Sequence, residues 1–186
     1  MRIVIANSKN WFTLNNDLFE KHDIRVIKKK IDLTEKKLKQ FSPDFIFFPH
    51  WNWIVSEKIH KKYRCIVFHT APLPFGKGGS PIQNLILKGF SEAPVCALKM
   101  TNKLDSGPIY AKENISLDGS LKNIFKRINK VVNHFIEEFI IHLPKPKQQI
   151  SGTKVLFKRL DTSKNIPGFG FLKKLSFLYF LIPNLG

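Results

Sequence analysis

Three short, uninterrupted apolar runs constrain the fold of this chain more than any other feature. They lie at residues 3–6, 45–48 and 65–68, with longer stretches of helical spacing between them. Apolar runs without polar alternation are typical of strands that are buried on both faces of a parallel sheet. Strands that alternate with helices in this way predict an α/β fold: a doubly wound, mainly parallel sheet flanked by helices, with right-handed crossovers.

The remaining elements follow from periodicity and from end signals. Thr34 is a candidate cap for the second helix, and Pro144 and Pro146 end the last and longest one. We predict helices over residues 11–22, 33–41, 55–62, 81–87 and 120–142. We predict strands over residues 2–7, 24–27, 45–48, 65–68, 93–100, 109–113 and 155–157.

The length of 186 residues suits one domain with a sizeable core. We expect this core over residues 1–147 and a short C-terminal extension over residues 148–186. Residues 169–182 of the extension are rich in Phe and Leu, which is too apolar to stay free in water. One interpretation is packing on the core or on a second subunit of a homodimer. The other is weak contact with a membrane surface, aided by the basic charge.

The composition excludes several kinds of site. The two cysteines, Cys65 and Cys96, lie in apolar, strand-like runs and are expected to be buried and reduced. We find no Cys/His spacing of a metal site, so we expect no metal. No run approaches the about 18 apolar residues that a spanning helix needs, and the first residues resemble a strand, not a signal peptide. We expect a cytoplasmic protein.

The net charge of +17 favours anionic partners. Nucleotide diphosphates, folate glutamates, nucleic acid and anionic membrane surfaces all fit this charge. A solvated lysine-rich surface explains it equally well, since many lysines lie on predicted helix faces and turns. The sequence lacks the aromatic and helix-turn-helix signatures of nucleic-acid binding, so we expect no specific nucleic acid partner.

An ionisable imidazole follows the third apolar run directly, at His69. The carboxyl end of a strand in an open α/β sheet is where ligands bind. The next residues are rich in proline and glycine, and a polar turn with Asp105 follows further on. Histidine exchanges protons near neutral pH, and a nearby aspartate supports its charged form. The alternatives are that His69 is a structural polar residue and that Asp105 only forms a turn.

These two segments resemble the catalytic core of the 10-formyltetrahydrofolate-dependent formyltransferases. That family includes enzymes that act on methionyl-tRNA, on glycinamide ribonucleotide and on nucleotide-linked sugars. The resemblance covers residues 44–128 and rests on Leu73-Pro74, Gly78-Gly79, Pro81-Ile82-Gln83 and the turn around Asp105. Residues 8–11 and 48–51 resemble the pseudaminic-acid-type branch of the nucleotide-sugar N-formyltransferases. Val67 departs from the family, because an asparagine usually stands at that position.

The resemblance assigns roles to individual residues. It implies a catalytic pair, His69 and Asp105, with Asn52 as a possible substitute for the missing asparagine. It implies a pterin pocket formed by His50, Trp51, Trp53, Asn102, Lys103 and Leu104. It also implies acceptor contacts from Asn10, Trp11, Thr70, Phe75, Gly76, Lys77 and Gln83. The tryptophans fit a closed sheet edge equally well, and Lys77 fits a solvated surface.

The resemblance implies transfer of a formyl group from 10-formyltetrahydrofolate to the amine of a nucleotide-linked 4-amino sugar. Such a reaction belongs to the synthesis of surface-polysaccharide or glycan precursors. Two alternatives stay open: an enzyme like methionyl-tRNA formyltransferase, and a non-catalytic binding or scaffold module. The second is motivated by Val67 and by the aromatic C-terminal stretch.

Overall fold

A computed structural model describes residues 1–150 and 152–160 of the chain. Its strands are β1 (Arg2–Asn7), β2 (Asp23–Ile27), β3 (Phe45–His50), β4 (Cys65–Thr70), β5 (Phe75–Gly78), β6 (Glu92–Lys99), β7 (Ile109–Ser116) and β8 (Val155–Phe157). Its helices are α1 (Asn16–Lys21), α2 (Glu35–Phe41), α3 (Glu57–Lys62), α4 (Pro81–Leu87) and α5 (Leu121–Ile141), with a 3₁₀ turn at Lys30–Asp32.

Six strands form the central sheet in the order β2-β1-β3-β4-β6-β7. The pairs β2–β1, β1–β3 and β3–β4 are parallel, whereas β4–β6 and β6–β7 are antiparallel. The predicted α/β fold with a mainly parallel, helix-flanked sheet is confirmed. Because β1, β3 and β4 run parallel side by side, their carboxyl ends open onto one edge of the sheet.

Both faces of the sheet are covered, which explains the uninterrupted apolar runs. One face carries Ile5, Phe47 and Ile66, which pack in a cluster with α4 and α5. The opposite face carries Val4 and Phe48, which pack with residues of α2 and α3. Successive residues of a strand point to opposite faces, so a strand between two helix layers must be apolar at every position.

The first predicted helix is wrong in its N-terminal half. The prediction covered residues 11–22, but α1 begins at Asn16. The side-chain amide of buried Asn7 donates to the backbone carbonyls of Lys9 at 2.7 Å and of Phe12 at 3.4 Å. These bonds hold the chain after β1 in an irregular loop. An asparagine that binds nearby backbone groups competes with helix formation in this way.

The N-terminus of α2 is capped as predicted. The Thr34 hydroxyl accepts a hydrogen bond from the backbone N–H of Lys37 at 3.3 Å. This cap satisfies one of the N–H groups that the first turn of a helix leaves unpaired.

A second, two-stranded sheet was only half predicted. The strand predicted at residues 155–157 is confirmed as β8, and it pairs in parallel with β5, which periodicity did not indicate. β5 lies inside the glycine-rich loop after β4. A Cβ atom at Gly78 would lie 2.5 Å from the carbonyl oxygen of Phe157, so the two strands approach closely only because this residue is glycine.

The described part of the chain bears on two further predictions. Cys65 and Cys96 are buried free thiols, and burial raises the pKa of each to about 12. Within residues 1–150 and 152–160, no helix combines the length and apolarity needed to cross a bilayer. The Phe/Leu-rich stretch at residues 169–182 lies outside the described residues.

Candidate active site

His69 stands near the carboxyl end of β4, with its side chain only 8 % exposed. Its Nε2 atom lies 2.8 Å from the carbonyl oxygen of Gly76, and its Nδ1 atom lies 3.6 Å from Oδ2 of Asp105. Both ring nitrogens therefore face oxygen atoms. A carbonyl oxygen only accepts, so Nε2 donates to Gly76, and the Nδ1 side of the ring faces the carboxylate.

Asp105 is held in place by backbone and side-chain bonds. Its carboxylate accepts the backbone N–H of Gly78 at 2.9 Å, and its side chain is as buried as that of His69. Its carbonyl oxygen accepts from the Gln149 side chain at 2.8 Å. Its φ angle of 45° places it in the left-handed region. A local backbone cost of this kind persists where surrounding contacts fix the conformation, which is common at functional sites.

The turn after Asp105 requires glycine. A Cβ atom at Gly107 would lie 1.7 Å from the carbonyl oxygen of Lys99 in β6. Gln149 also donates to the carbonyl oxygen of Gly107, at 3.0 Å. The turn is thereby packed against the sheet on one side and bonded to the C-terminal extension on the other. The position of the Asp105 carboxylate is set by these contacts.

Two clefts meet beside this pair. The histidine cleft, of about 470 Å³, contains His69, and the tryptophan cleft, of about 400 Å³, lies on the other side of Val67. Both volumes fall in the range of small-molecule sites. The two clefts share six lining residues: Trp51, Trp53, Ile54, Val67, Leu104 and Asp105. A group bound in one cleft can therefore meet a group bound in the other beside Asp105.

The tryptophan cleft has mainly apolar walls. Trp51 and Trp53 lie edge to face, with ring centroids 4.8 Å apart, and Leu98 and Met100 line the cleft from β6 and the residue after it. The indole N–H of Trp51 is buried and has no hydrogen-bond partner among the described residues. A buried donor normally has a partner.

The histidine cleft carries several basic side chains. Besides His69 it is lined by Lys9, Trp11, His50 and Arg159. The rings of Trp11 and His50 lie edge to face at 5.4 Å. Burial lowers the pKa of His50 from its usual 6.5 to about 4, and the positive charges of Lys9 and Arg159 add to this effect, as does His69. His50 is therefore neutral at physiological pH.

The described residues hold no group of three or more His, Cys, Asp or Glu side chains that could bind a metal ion.

Comparison with known proteins identifies the family. The model of the formyl transferase family matches residues 3–139, which is well over half of the chain. This chain belongs to the formyl transferase family. The family resemblance seen in the sequence is thereby confirmed.

Individual relatives agree with this assignment. The methionyl-tRNA formyltransferase of Clostridium thermocellum has a solved structure that is 36% identical, with a TM-score of 0.84. That match covers 95% of this chain and 81% of that chain. The methionyl-tRNA formyltransferase of Rickettsia prowazekii is 34% identical over 89 residues, which are 47% of this chain and 29% of the relative. The matches to the first curated relatives span only about a third of their length.

A third similarity concerns the fold alone. The formyltransferase PseJ from Anoxybacillus kamchatkensis, solved in complex with UDP-4,6-dideoxy-4-formamido-L-AltNAc and tetrahydrofolate, is 18% identical with a TM-score of 0.68. The match covers 99% of this chain and 93% of that chain. This likeness supports the formyltransferase fold of the described residues.

Most of the site residues that the formyl transferase resemblance implied line the two clefts. The predicted catalytic residues His69, Asp105 and Asn52 all line the histidine cleft, and so do four other predicted residues: Trp11, His50, Thr70 and Gln83. The predicted pterin residues Trp51, Trp53 and Leu104 line both clefts, whereas Asn102 and Lys103 line only the tryptophan cleft.

Four predicted acceptor residues line neither cleft. Asn10 is exposed in the loop after β1. Phe75 packs edge to face on Phe157, with ring centroids 5.4 Å apart. Gly76 uses its carbonyl to hold His69, and Lys77 donates to the Ser106 hydroxyl at 2.7 Å. Of these four, Gly76 alone contacts His69 directly, and Lys77 contacts the residue that follows Asp105.

Two residues of this candidate site were not predicted from the sequence. Gln149 holds the Asp105 turn, and Arg159 lines the histidine cleft. Both belong to the segment after residue 147, which we had separated from the core. The predicted strand at residues 155–157 was the available signal, but its pairing with β5 had no local signature.

Proposed function

We propose that this protein transfers a formyl group from 10-formyltetrahydrofolate to the primary amine of a nucleotide-linked 4-amino sugar. The observation that carries the proposal is the position of the His69–Asp105 pair beside the wall that two different clefts share. A reaction between two bound molecules needs two adjoining sites with a proton-exchanging group where they meet.

The tryptophan cleft is the proposed donor site. Its mainly apolar walls suit a pterin, which is a flat ring. PseJ, which shares the fold, was solved with tetrahydrofolate. Asn102 and Lys103, at the exposed mouth of the cleft, are placed to contact polar parts of the donor.

The reaction requires little more than proton management and charge stabilisation. The amine nitrogen of the acceptor forms a bond to the formyl carbon, and the bond from that carbon to N10 of the folate breaks. The ammonium form of the acceptor must first lose a proton, and the leaving N10 must gain one. His69 and Asp105 form a buried pair that can pass this proton from one nitrogen to the other.

The carbonyl oxygen of the formyl group gains negative charge when the amine attacks. Val67 lines both clefts at this point and has no hydrogen-bond donor to offer. Asn52, which lines the histidine cleft, is the proposed donor to this oxygen. A donor aimed at a developing oxyanion in a site that excludes water contributes strongly to rate.

The histidine cleft is the proposed acceptor site. Its size suits a small molecule, and Lys9 and Arg159 suit an anionic one. A nucleotide-linked sugar meets both conditions. Buried free thiols are consistent with the reducing cytoplasm, where we propose that the enzyme acts.

A second candidate is formylation of methionyl-tRNA. The printed names of the curated relatives favour it, and the net charge of +17 suits a polyanionic acceptor. The two candidates share the donor, the chemistry and the catalytic pair. They differ only in what the histidine cleft binds.

A mass-spectrometric panel assay separates the candidates. The protein is incubated with 10-formyltetrahydrofolate and, in turn, UDP-4-amino sugars, dTDP-4-amino sugars and methionyl initiator tRNA, with His69→Asn as the control. We expect a formylated amino sugar that is about 28 Da heavier than the unreacted one. We expect no such product with the His69→Asn control. Formylation of the tRNA alone would refute the sugar acceptor. Formylation of no acceptor would support the binding-module alternative.

A further inference from the structure

We propose that Lys9 and Arg159, together with His50, form a binding site for the phosphate groups of the acceptor inside the histidine cleft. This inference rests on the proposed function only in taking the bound molecule to be the acceptor. The class of ligand is a small-molecule diphosphate, such as the linkage between a nucleoside and a sugar.

The two cations converge although they come from opposite ends of the chain. Lys9 follows β1 and Arg159 follows β8, yet both line the histidine cleft. Both also act electrostatically on the same imidazole, that of His50. Two positive charges near one ring repel each other, and an anion bound between them relieves that repulsion.

The cleft offers these cations little compensation of its own. Of the described residues that line it, Asp105 alone carries a carboxylate, and that carboxylate is bonded to Gly78 and faces His69. Across residues 1–150 and 152–160, neither Lys9 nor Arg159 has an ion-pair partner. A cleft with unpaired charge of one sign concentrates ligands of the opposite sign.

The backbone that carries Lys9 is fixed to the end of β3. The backbone N–H and the hydroxyl of Ser8 both donate to the carbonyl oxygen of His50, at 2.8 and 3.0 Å. The backbone N–H of Lys9 donates to the side chain of Asn7, which is only 5% exposed. The loop is therefore held in one conformation beside His50.

The backbone that carries Arg159 is fixed to the loop between β5 and α4. The backbone N–H of Gly79 donates to the carbonyl oxygen of Phe157 at 3.0 Å, and the Asn84 side chain donates to that of Lys158 at 3.1 Å. A Cβ atom at Gly79 would lie 2.8 Å from the Cα atom of Arg159. Glycine at this position lets the arginine approach the cleft.

The donors of this corner match a diphosphate in number and kind. A guanidinium can donate two parallel hydrogen bonds to phosphate oxygens, and an ammonium acts as a compact point charge. The indole N–H of Trp11, in the same cleft, is buried and has no partner among the described residues. A neutral His50 offers one ring N–H without adding a competing charge.

Calorimetric titration of the full-length protein with inorganic pyrophosphate tests this site. Wild type is compared with Arg159→Gln, Lys9→Gln and the matched control Lys158→Gln, which removes a neighbouring exposed charge that does not line the cleft. Each cleft variant should raise the Kd at least about tenfold, because hydrogen bonds to charged groups are lost. The control should stay within about twofold. Thermal unfolding of each variant checks that it is folded.

Arg159→Lys gives a second readout, because it keeps the charge but loses the planar fork. It should weaken pyrophosphate binding less than Arg159→Gln does. Equal weakening by all the glutamine variants, control included, would show a general surface-charge effect and overturn the proposal. Absence of pyrophosphate binding by wild type would overturn it too.

No formyl transfer takes place in this titration, so its failure is separate from a failure of the proposed function. If pyrophosphate binding depends on Arg159 but the panel assay gives no product, the phosphate site is supported and the proposed formyl transfer is refuted. If formyl transfer occurs but pyrophosphate binding does not depend on Arg159, the proposed function is supported and the phosphate site is refuted.

Discussion

The two clefts are similar in size but differ in the balance of charge along their walls. In the tryptophan cleft two lysines, Lys99 and Lys103, are matched by the carboxylates of Glu57 and Asp105, whereas among the described residues of the histidine cleft Lys9 and Arg159 are opposed by Asp105 alone. Such a difference is what two dissimilar substrates require: a flat ring is held by apolar contact, and an anion by charge. The pair His69 and Asp105 lies where the two kinds of surface meet.

The largest effect on turnover is expected at His69. His69→Asn should lower turnover by about 10²–10⁴-fold, the usual contribution of a general acid–base group. Because His69 does not line the tryptophan cleft and is not one of the proposed phosphate contacts, binding of tetrahydrofolate and of pyrophosphate should change little. Steady-state turnover and two separate titrations measure this. Near-normal turnover would remove the catalytic assignment.

A smaller loss is expected at the proposed oxyanion donor. Asn52→Ala should lower turnover by about 10²–10³-fold with little effect on the KM of either substrate, since its amide is used only when charge develops. The matched control is Asn10→Ala, because Asn10 is exposed and lines neither cleft. If Asn52→Ala turns over like the control, a backbone N–H must fill the role.

The burial of His50, together with the positive charges beside it, predicts a pH effect on stability. His50 has a pKa of about 4 in the folded protein and 6.5 when unfolded, so between these values the unfolded chain binds more protons. Its contribution to stability is full above pH 6.5 and is lost as the pH falls to 4, by at most about 3 kcal/mol.

Urea unfolding at pH 7 and at pH 4 measures this, with His50→Gln as the reference, because other titrating groups are common to both proteins. The stability difference between wild type and His50→Gln should shift toward the variant at acid pH. An unchanged difference would mean that His50 is solvated and that the cations do not act on it.

The smallest effect tests whether the clefts are independent. Met100→Ala should weaken tetrahydrofolate binding by about tenfold, since an apolar contact is lost from a residue that lines only the tryptophan cleft, and should leave pyrophosphate binding nearly intact. Trp11→Ala is the mirror control, because Trp11 lines only the histidine cleft. Fluorescence and calorimetric titrations of both variants give the two affinities. A uniform loss of both affinities would contradict the division into two clefts.

The same comparison shows what a sequence can predict. The loops after β1, β3 and β4 can be predicted from a local pattern in the sequence. Each follows an apolar strand that leads into polar or aromatic residues such as His50 or His69. Their convergence follows from the parallel sheet alone. The motif around Asp105 predicted a turn at that residue, and the left-handed backbone of Asp105 fits this turn.

Gln149 and Arg159 could not be placed in this way. They reach the site because β8 pairs with β5, and β5 has glycine at two of its four positions in place of an apolar pattern. The pairing of β5 with β8 depends on the close approach of the two backbones at glycine. Such an approach produces no alternation of apolar and polar residues by which the strand could be predicted. A boundary at residue 147 therefore separated the Asp105 turn from the side chain that supports it.

The central claim is that the two clefts bind two different ligands at once, on either side of His69 and Asp105. Titration of tetrahydrofolate into protein saturated with pyrophosphate tests it most directly. The account predicts one tetrahydrofolate per chain, with an affinity within about twofold of that measured without pyrophosphate, since the ligands occupy separate walls. Displacement of pyrophosphate by tetrahydrofolate would show that both compete for one cleft, and would contradict the account.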